Sequence, residues 1–267
     1  MKTAYENYIS FGYFCEVALD LEKLGLRSFS SPFDWVYSFL PDMIHSIDNG
    51  FEGFMEYDHL SQDCVVRKLY LEEKHQIVFY HDFSAYVPLS EQYEAVKEKY
   101  WRRIDRFFEK IQQPTLFVRY ITSEYPDPDG RPHDLNWAEE NYDYMMKVLR
   151  RFNPENDIVL LGDETVHSDL LKIYSVPKDP GDTVSRAPIF NNKELFPIMA
   201  AMEKAGKEEN QRIAAIKDRK RKSVITKAEK RLNRDLSKLF RKEYVHERTF
   251  MEPRRSAWST TASQGCK

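Results

Sequence analysis

Cysteine is scarce in this chain: 267 residues hold three, Cys15, Cys64 and Cys266. They are odd in number, unevenly spaced and form no C-x-x-C or Cys/His ligand pattern, which predicts a reducing compartment and no structural zinc. Glycine motifs are missing too. Neither a G-x-x-x-x-G-K nor a G-x-G-x-x-G run occurs, so Gly12 opens no phosphate loop. No window reaches the roughly 18 apolar residues of a membrane span, and the opening MKTAYENYIS lacks an apolar signal core. The expectation is a soluble, cytoplasmic protein. Charge of one sign is absent as well: 40 Lys and Arg against 43 Asp and Glu give −3, which by itself implies no nucleic-acid partner. His45, His59, His75, His133, His167 and His246 show no metal-ligand spacing and read as surface or capping residues.

What is present is enough apolar surface for a core, at 42% hydrophobic residues, in a length that suits one sizeable domain with an appendage or two small domains. Residues 36–49 carry an apolar helical face that ends at Gly50, with Pro41 either kinking it or opening a second helix. Residues 64–71 alternate weakly, as an edge strand would, and 76–81 (QIVFYH) read as a strand. A long helix is predicted over 91–112 from the stripe Tyr93, Val96, Tyr100, Ile104, Phe107, Phe108 and Ile111, with Pro114 stopping it. The near-continuous apolar run 115–121 suits a central strand covered on both faces, and Arg119 interrupts it. That arginine reads as structural, snorkelling past the sheet end, ahead of the alternative of reaching a carboxylate or phosphate in a cleft. Turn chemistry fills 125–132, a helix is predicted over 137–152, and 157–161 is a short buried strand.

Helices alternating with strands predict an α/β fold with a central, mostly parallel sheet flanked by helices. Sites in such sheets lie at the carboxyl ends of the strands, where Cys15, His81, Thr122 and Asp163 all fall. Cys15 is the most suggestive of them. Residues 8–11 read as a strand, Gly12 breaks it, and Val17, Ala18, Leu21 and Leu24 have helical spacing, so Cys15 sits where a strand becomes a helix. Unpaired N–H groups and the positive end of the macrodipole favour thiolate there; the alternative is a buried cysteine packed as a small hydrophobe. Gly25 can close this helix, and the following SSPFDW places Asp34 between Phe33 and Trp35. Asp34 reads as a cap for a helix beginning near Val36, the alternative being a partly buried carboxylate that orients another group. Asp82 points away from His81 if the strand continues.

The segments SFGYFCEVALDLEKLGLR, SSPFDWV, FYHDF (79–83) and KYWRRIDRFFEKI (99–111) together resemble the bacterial papain-like cysteine peptidase family DUF1796, over about residues 7–174. The resemblance implies Cys15 as nucleophile, His81 as its base, and an association with surface-polysaccharide genes. Under that reading Asp163 or Asp34 would hold the imidazole, and the N–H groups of Cys15 and Glu16 would form the oxyanion hole. Three functions stay open: a cysteine-dependent hydrolase acting on a peptide or acylated glycan, an acyltransferase that modifies a polysaccharide, and a non-catalytic binding protein. No cofactor is expected, except acyl-coenzyme A for the acyltransferase.

Three regions are predicted: a Cys/His α/β domain over 1–206, a basic amphipathic helix over 207–243 and a disordered tail over 244–267. The helix region holds 14 Lys or Arg against 6 Asp or Glu, with Ile225, Ala228, Leu232, Leu236 and Leu239 at steps of three or four. It would dock on the acidic body or attach to an anionic membrane surface, giving a peripheral location at the inner face of the membrane. Nucleic acid is disfavoured because no aromatic residue is interleaved before Phe240.

Overall fold

The computed structural model describes residues 5–195. The basic helix expected at 207–243, the tail at 244–267 and Cys266 lie outside the described residues.

One parallel sheet of four strands carries the fold, in the order β1 (Asn7–Ser10), β6 (Thr115–Ile121), β7 (Asp157–Gly162) and β8 (Ile173–Ser175). Its central strand explains its own sequence. Successive side chains alternate between faces, so Leu116, Val118 and Tyr120 enter one apolar cluster, while Phe117 and Ile121 enter the other. β7 does the same, with Val159 and Leu161 on the first face and Ile158 and Leu160 on the second. Both faces are therefore dry, which is why these strands read as continuous apolar runs.

The first face is covered by α1 (Cys15–Lys23) through Val17 and Leu21, together with Val176 and Ile189 from the segment after β8. That segment is fastened by Asp20, a fully buried carboxylate in α1 that accepts the N–H groups of Ile189 at 2.9 Å and Phe190 at 3.1 Å. The second face takes α2 (Leu40–Asp48), α3 (Leu89–Lys110), α4 (His133–Glu140) and α5 (Tyr142–Arg150). The α3 stripe is buried as its spacing predicts, at Tyr93, Val96, Tyr100, Ile104 and Phe107.

A second sheet was not foreseen. β2 (Val36–Tyr37), β5 (Ile77–Phe79), β4 (Tyr70–Glu72) and β3 (Leu60–Gln62) pair antiparallel in that order, and Val36, Tyr70, Ile77 and Phe79 join the second cluster. Residues 36–37 are thus strand rather than helix, and Pro41 stands in the first turn of α2, where its missing N–H costs nothing. The predicted edge strand at 64–71 is mostly turn, with strand on either side of it. The helix predicted at 137–152 is two helices that meet at Asn141.

Candidate active site

Cys15 is the first residue of α1. No side chain caps this helix start, whose N-cap position is Phe14 in extended conformation, so its first-turn N–H groups have no side-chain acceptor there. The turn before it is tight. Phe11 N–H donates to Val118 O at 2.8 Å and Tyr120 N–H reaches Gly12 O at 3.4 Å, which continues the β1–β6 pairing up to the helix. Gly12 has φ +66°, and a Cβ there would stand 3.0 Å from Arg119 Nη1. Only glycine meets both conditions without strain.

The thiol is partly buried and unpaired with any other cysteine. Burial pushes its pKa up to about 11, and the neighbouring Glu16 carboxylate adds to the shift. The helix start alone would lower this value, but at this position the loss of water around the sulfur outweighs it. The thiol therefore rests protonated. Cys64, the other described cysteine, is exposed on a turn.

Three of the four residues expected at strand ends do share the carboxyl edge of the parallel sheet. Cys15 follows β1, Thr122 follows β6 and Asp163 follows β7; Tyr13 OH donates to Glu124 at 2.8 Å and Ser123 Oγ to Asp163 at 3.1 Å. His81 instead follows β5, in the antiparallel sheet. The two histidine and cysteine groups share no hydrogen bond among the described residues. Ring contacts run to His81 from Tyr13, two residues before Cys15: Tyr13 meets Tyr37 at 5.7 Å, Tyr37 meets Tyr80 at 5.8 Å and Tyr80 meets His81 at 4.9 Å. His81 is exposed to solvent, yet desolvation of its ring lowers its pKa below 6.5, opposed by Asp82 and assisted by Lys68. Asp82 itself turns inward, accepting Tyr100 OH at 2.8 Å and the Lys99 ammonium, so it does not orient the imidazole through a hydrogen bond.

Neither carboxylate expected to hold that imidazole is bonded to it. Asp34 accepts Arg27 Nη2 at 2.6 Å and Nε at 2.9 Å, and the Ser31 N–H at 2.9 Å, closing the 27–34 loop on itself; no helix begins at Val36 for it to cap. For Asp163, burial favours the neutral acid, but Thr165 and Lys178, at 2.9 Å from Oδ2, more than offset it and hold the pKa below 3.8.

A different histidine does have a carboxylate. His133 Nδ1 lies 2.8 Å from Asp127 Oδ1, and Asn136 Nδ2 donates to the other oxygen of Asp127 at 3.1 Å. Ring contacts lead from it towards Cys15 as well: His133 to Phe39 at 5.5 Å, Phe39 to Tyr125 at 5.4 Å and Tyr125 to Tyr13 at 6.0 Å. In the sequence His133 reads as a surface or capping residue. The available signal was the crowding of Asp127, Asp129 and His133 in one turn-rich loop.

Arg119 is fully buried and ion-paired with Asp134, so the side chain does not snorkel past the sheet end, as the favoured expectation had it, but reaches a carboxylate. Among the described residues, no group of His, Cys, Asp and Glu could hold a metal ion, and no helix is long and apolar enough to cross a membrane.

The site is thus a thiol at a strand-to-helix turn on the carboxyl edge of a parallel sheet, with two chains of ring contacts leading from nearby Tyr13 to His81 and to His133. Residues 6–140 match the family described as "Putative papain-like cysteine peptidase (DUF1796)", and the chain belongs to that family. It is also 35% identical over 177 residues to an uncharacterized protein of Acanthamoeba polyphaga mimivirus, covering 58% of this chain and 76% of that protein. No solved structure matches the chain. The matched region ends within α4, so it includes Cys15, His81 and the His133–Asp127 pair but not Asp163.

Proposed function

We propose that this protein is a thiol-dependent acyl hydrolase of the papain-like type, with Cys15 as nucleophile and His81 as base. The observation that carries the reading is the placement of Cys15: a half-buried cysteine at the uncapped first residue of α1, at the carboxyl edge of the sheet. The sulfur attacks the substrate carbonyl, its proton passes to the imidazole, and first-turn N–H groups of α1 receive the developing oxyanion. The imidazole then protonates the leaving group, and water releases the acyl chain from sulfur. Because the resting thiol is neutral and not bonded to a histidine, the pair forms as substrate binds; catalytic hydrogen bonds commonly tighten only in such complexes.

The His133–Asp127 hydrogen bond supports a second reading, in which His133 is the base and Asp127 fixes its tautomer. Single Cys15→Ala, His81→Ala and His133→Ala variants decide between them. Each is incubated with peptide libraries and with p-nitrophenyl acetate, and acylation of Cys15 is followed by mass spectrometry. Loss of turnover in the Cys15 and His81 variants supports the first reading, and loss in the His133 variant instead of the His81 variant supports the second. Stable acylation of wild-type Cys15 that only a glycan hydroxyl discharges would replace hydrolysis by acyl transfer. Unchanged turnover in the Cys15 variant would end the proposal.

A further inference from the structure

Arg119 occupies a place where packing alone would be served by an apolar side chain. Its neighbours on the same face of β6, Phe117 and Ile121, are both fully buried hydrophobes. Burying an ion pair costs so much desolvation that apolar replacements of similar volume are often as stable or more so. What an apolar residue cannot do is bind several backbone groups at fixed angles, and this guanidinium does so.

Its Nη1 donates to Phe11 O at 2.7 Å, and its Nη2 donates to Ser38 O at 2.8 Å and to Asp134. Nε donates to Asp134 Oδ2 at 2.9 Å, while the other oxygen of Asp134 accepts the Leu40 N–H at 2.9 Å. Three segments distant in sequence therefore meet at one cation. The first is the Phe11–Gly12 turn that leads into Cys15, so close that a Cβ on Gly12 would stand 3.0 Å from Arg119 Nη1. The second is Ser38, between the rings of Tyr37 and Phe39, directly after β2, which pairs with β5 ahead of His81. The third is Asp134, the residue after His133.

We infer that Arg119 is the positioning residue of the Cys15 site, holding the nucleophile turn in register with the segments that bear the histidines. This rests on the reading of Cys15 as a nucleophile. The planar fork is essential to it: a lysine keeps the charge, but its three donors sit on one nitrogen and cannot span Phe11, Ser38 and Asp134 as the three guanidinium nitrogens do.

The test uses the full chain with Arg119→Lys and with the charge-neutral double variant Arg119→Met/Asp134→Asn, whose asparagine can still accept the Leu40 N–H. Circular dichroism first establishes that each is folded at the assay temperature. Cys15 acylation by p-nitrophenyl acetate and amide exchange are then measured. The inference expects at least tenfold slower acylation in both variants, with faster exchange at residues 11–14 and 38–40 and unchanged exchange at 117–118 and 159–160 in the sheet. A folded variant that acylates Cys15 within twofold of wild type, or lysine restoring the full rate, overturns it. If the double variant does not fold, Arg119→Lys alone carries the same two outcomes. Should wild-type Cys15 itself resist acylation, the nucleophile reading fails, and the exchange pattern still judges whether Arg119 holds these segments together.

Discussion

The state of the Cys15 thiol gives the sharpest quantitative expectation. Burial pushes its pKa up to about 11 from an ordinary 9.0, which reduces the thiolate fraction at neutral pH about 100-fold. The effect on alkylation is smaller, because a more basic thiolate is a better nucleophile. With a Brønsted slope of about 0.4–0.5, this rise recovers about 6–10-fold. The net expectation is alkylation about ten- to fifteenfold slower than at an ordinary exposed cysteine, before any steric hindrance.

Cys64 supplies the comparison within the same molecule, being exposed on a turn. Full-length protein is treated with iodoacetamide from pH 7 to 10, and modification at each cysteine is followed by mass spectrometry. Cys15 should lag Cys64 at pH 7, and its rate should still be rising at pH 10. Faster labelling of Cys15 than of Cys64 at pH 7 would refute the argument, since it would require a preformed thiolate that desolvation and Glu16 both oppose. If the slow labelling holds while turnover is brisk, the proton must leave during the reaction. The acid limb of kcat/KM then reports the imidazole: the base must be neutral, activity rises with pH through its pKa, and for His81 the limb lies below 6.5.

Gly12→Ala should lower stability by about 1–2 kcal/mol from the left-handed backbone alone, more if Arg119 is displaced; urea unfolding measures it, and a neutral effect would contradict the φ of +66°. Phe117→Ala removes a fully buried ring packed 4.7 Å from Phe11 and should cost about 3–5 kcal/mol in the same assay. Asp163 has a depressed pKa, so its contribution is present above 3.8 and is lost as pH falls through the lower folded value. Asp163→Asn should therefore be less stable than wild type at neutral pH, with the difference closing below pH 3.8; a constant difference across acid pH would show that the charge is not what stabilises.

The parts of the fold that could be read from sequence are those whose burial is decided locally. β6 and β7 declare themselves because both faces are covered, and α3 because one stripe of a long helix is. β2 could not be read, since two residues carry no period and Val36 also fits the helical face of the residues after it. Its strand identity comes from pairing with Phe79 and Val78, more than 40 positions away. The division of α4 from α5 was hidden for a related reason: the apolar period runs through Asn141 without a proline or glycine to mark it. The second sheet follows from β2, because a strand that is misread takes its partners with it.

The site divides along the same line. Cys15 was legible because a strand, a glycine and a helical period lie within a dozen residues of one another. Asp34 was half legible: the aromatic flanks said it was buried, but its partner is Arg27 in its own loop and not a histidine. His133 was missed because its carboxylate partner is revealed only by the fold of the loop. Arg119 is the most instructive. Sequence marks it as a charge in an apolar strand, yet its meaning lies in acceptors at Phe11, Ser38 and Asp134, the farthest of them 108 residues away. A buried cation has to satisfy its donors, and in a parallel sheet the groups nearest to hand are the turns that leave the strand ends. Those turns also carry the chemistry, so a charge that interrupts a central strand near its carboxyl end is tied to the site by the same geometry that lets it be buried.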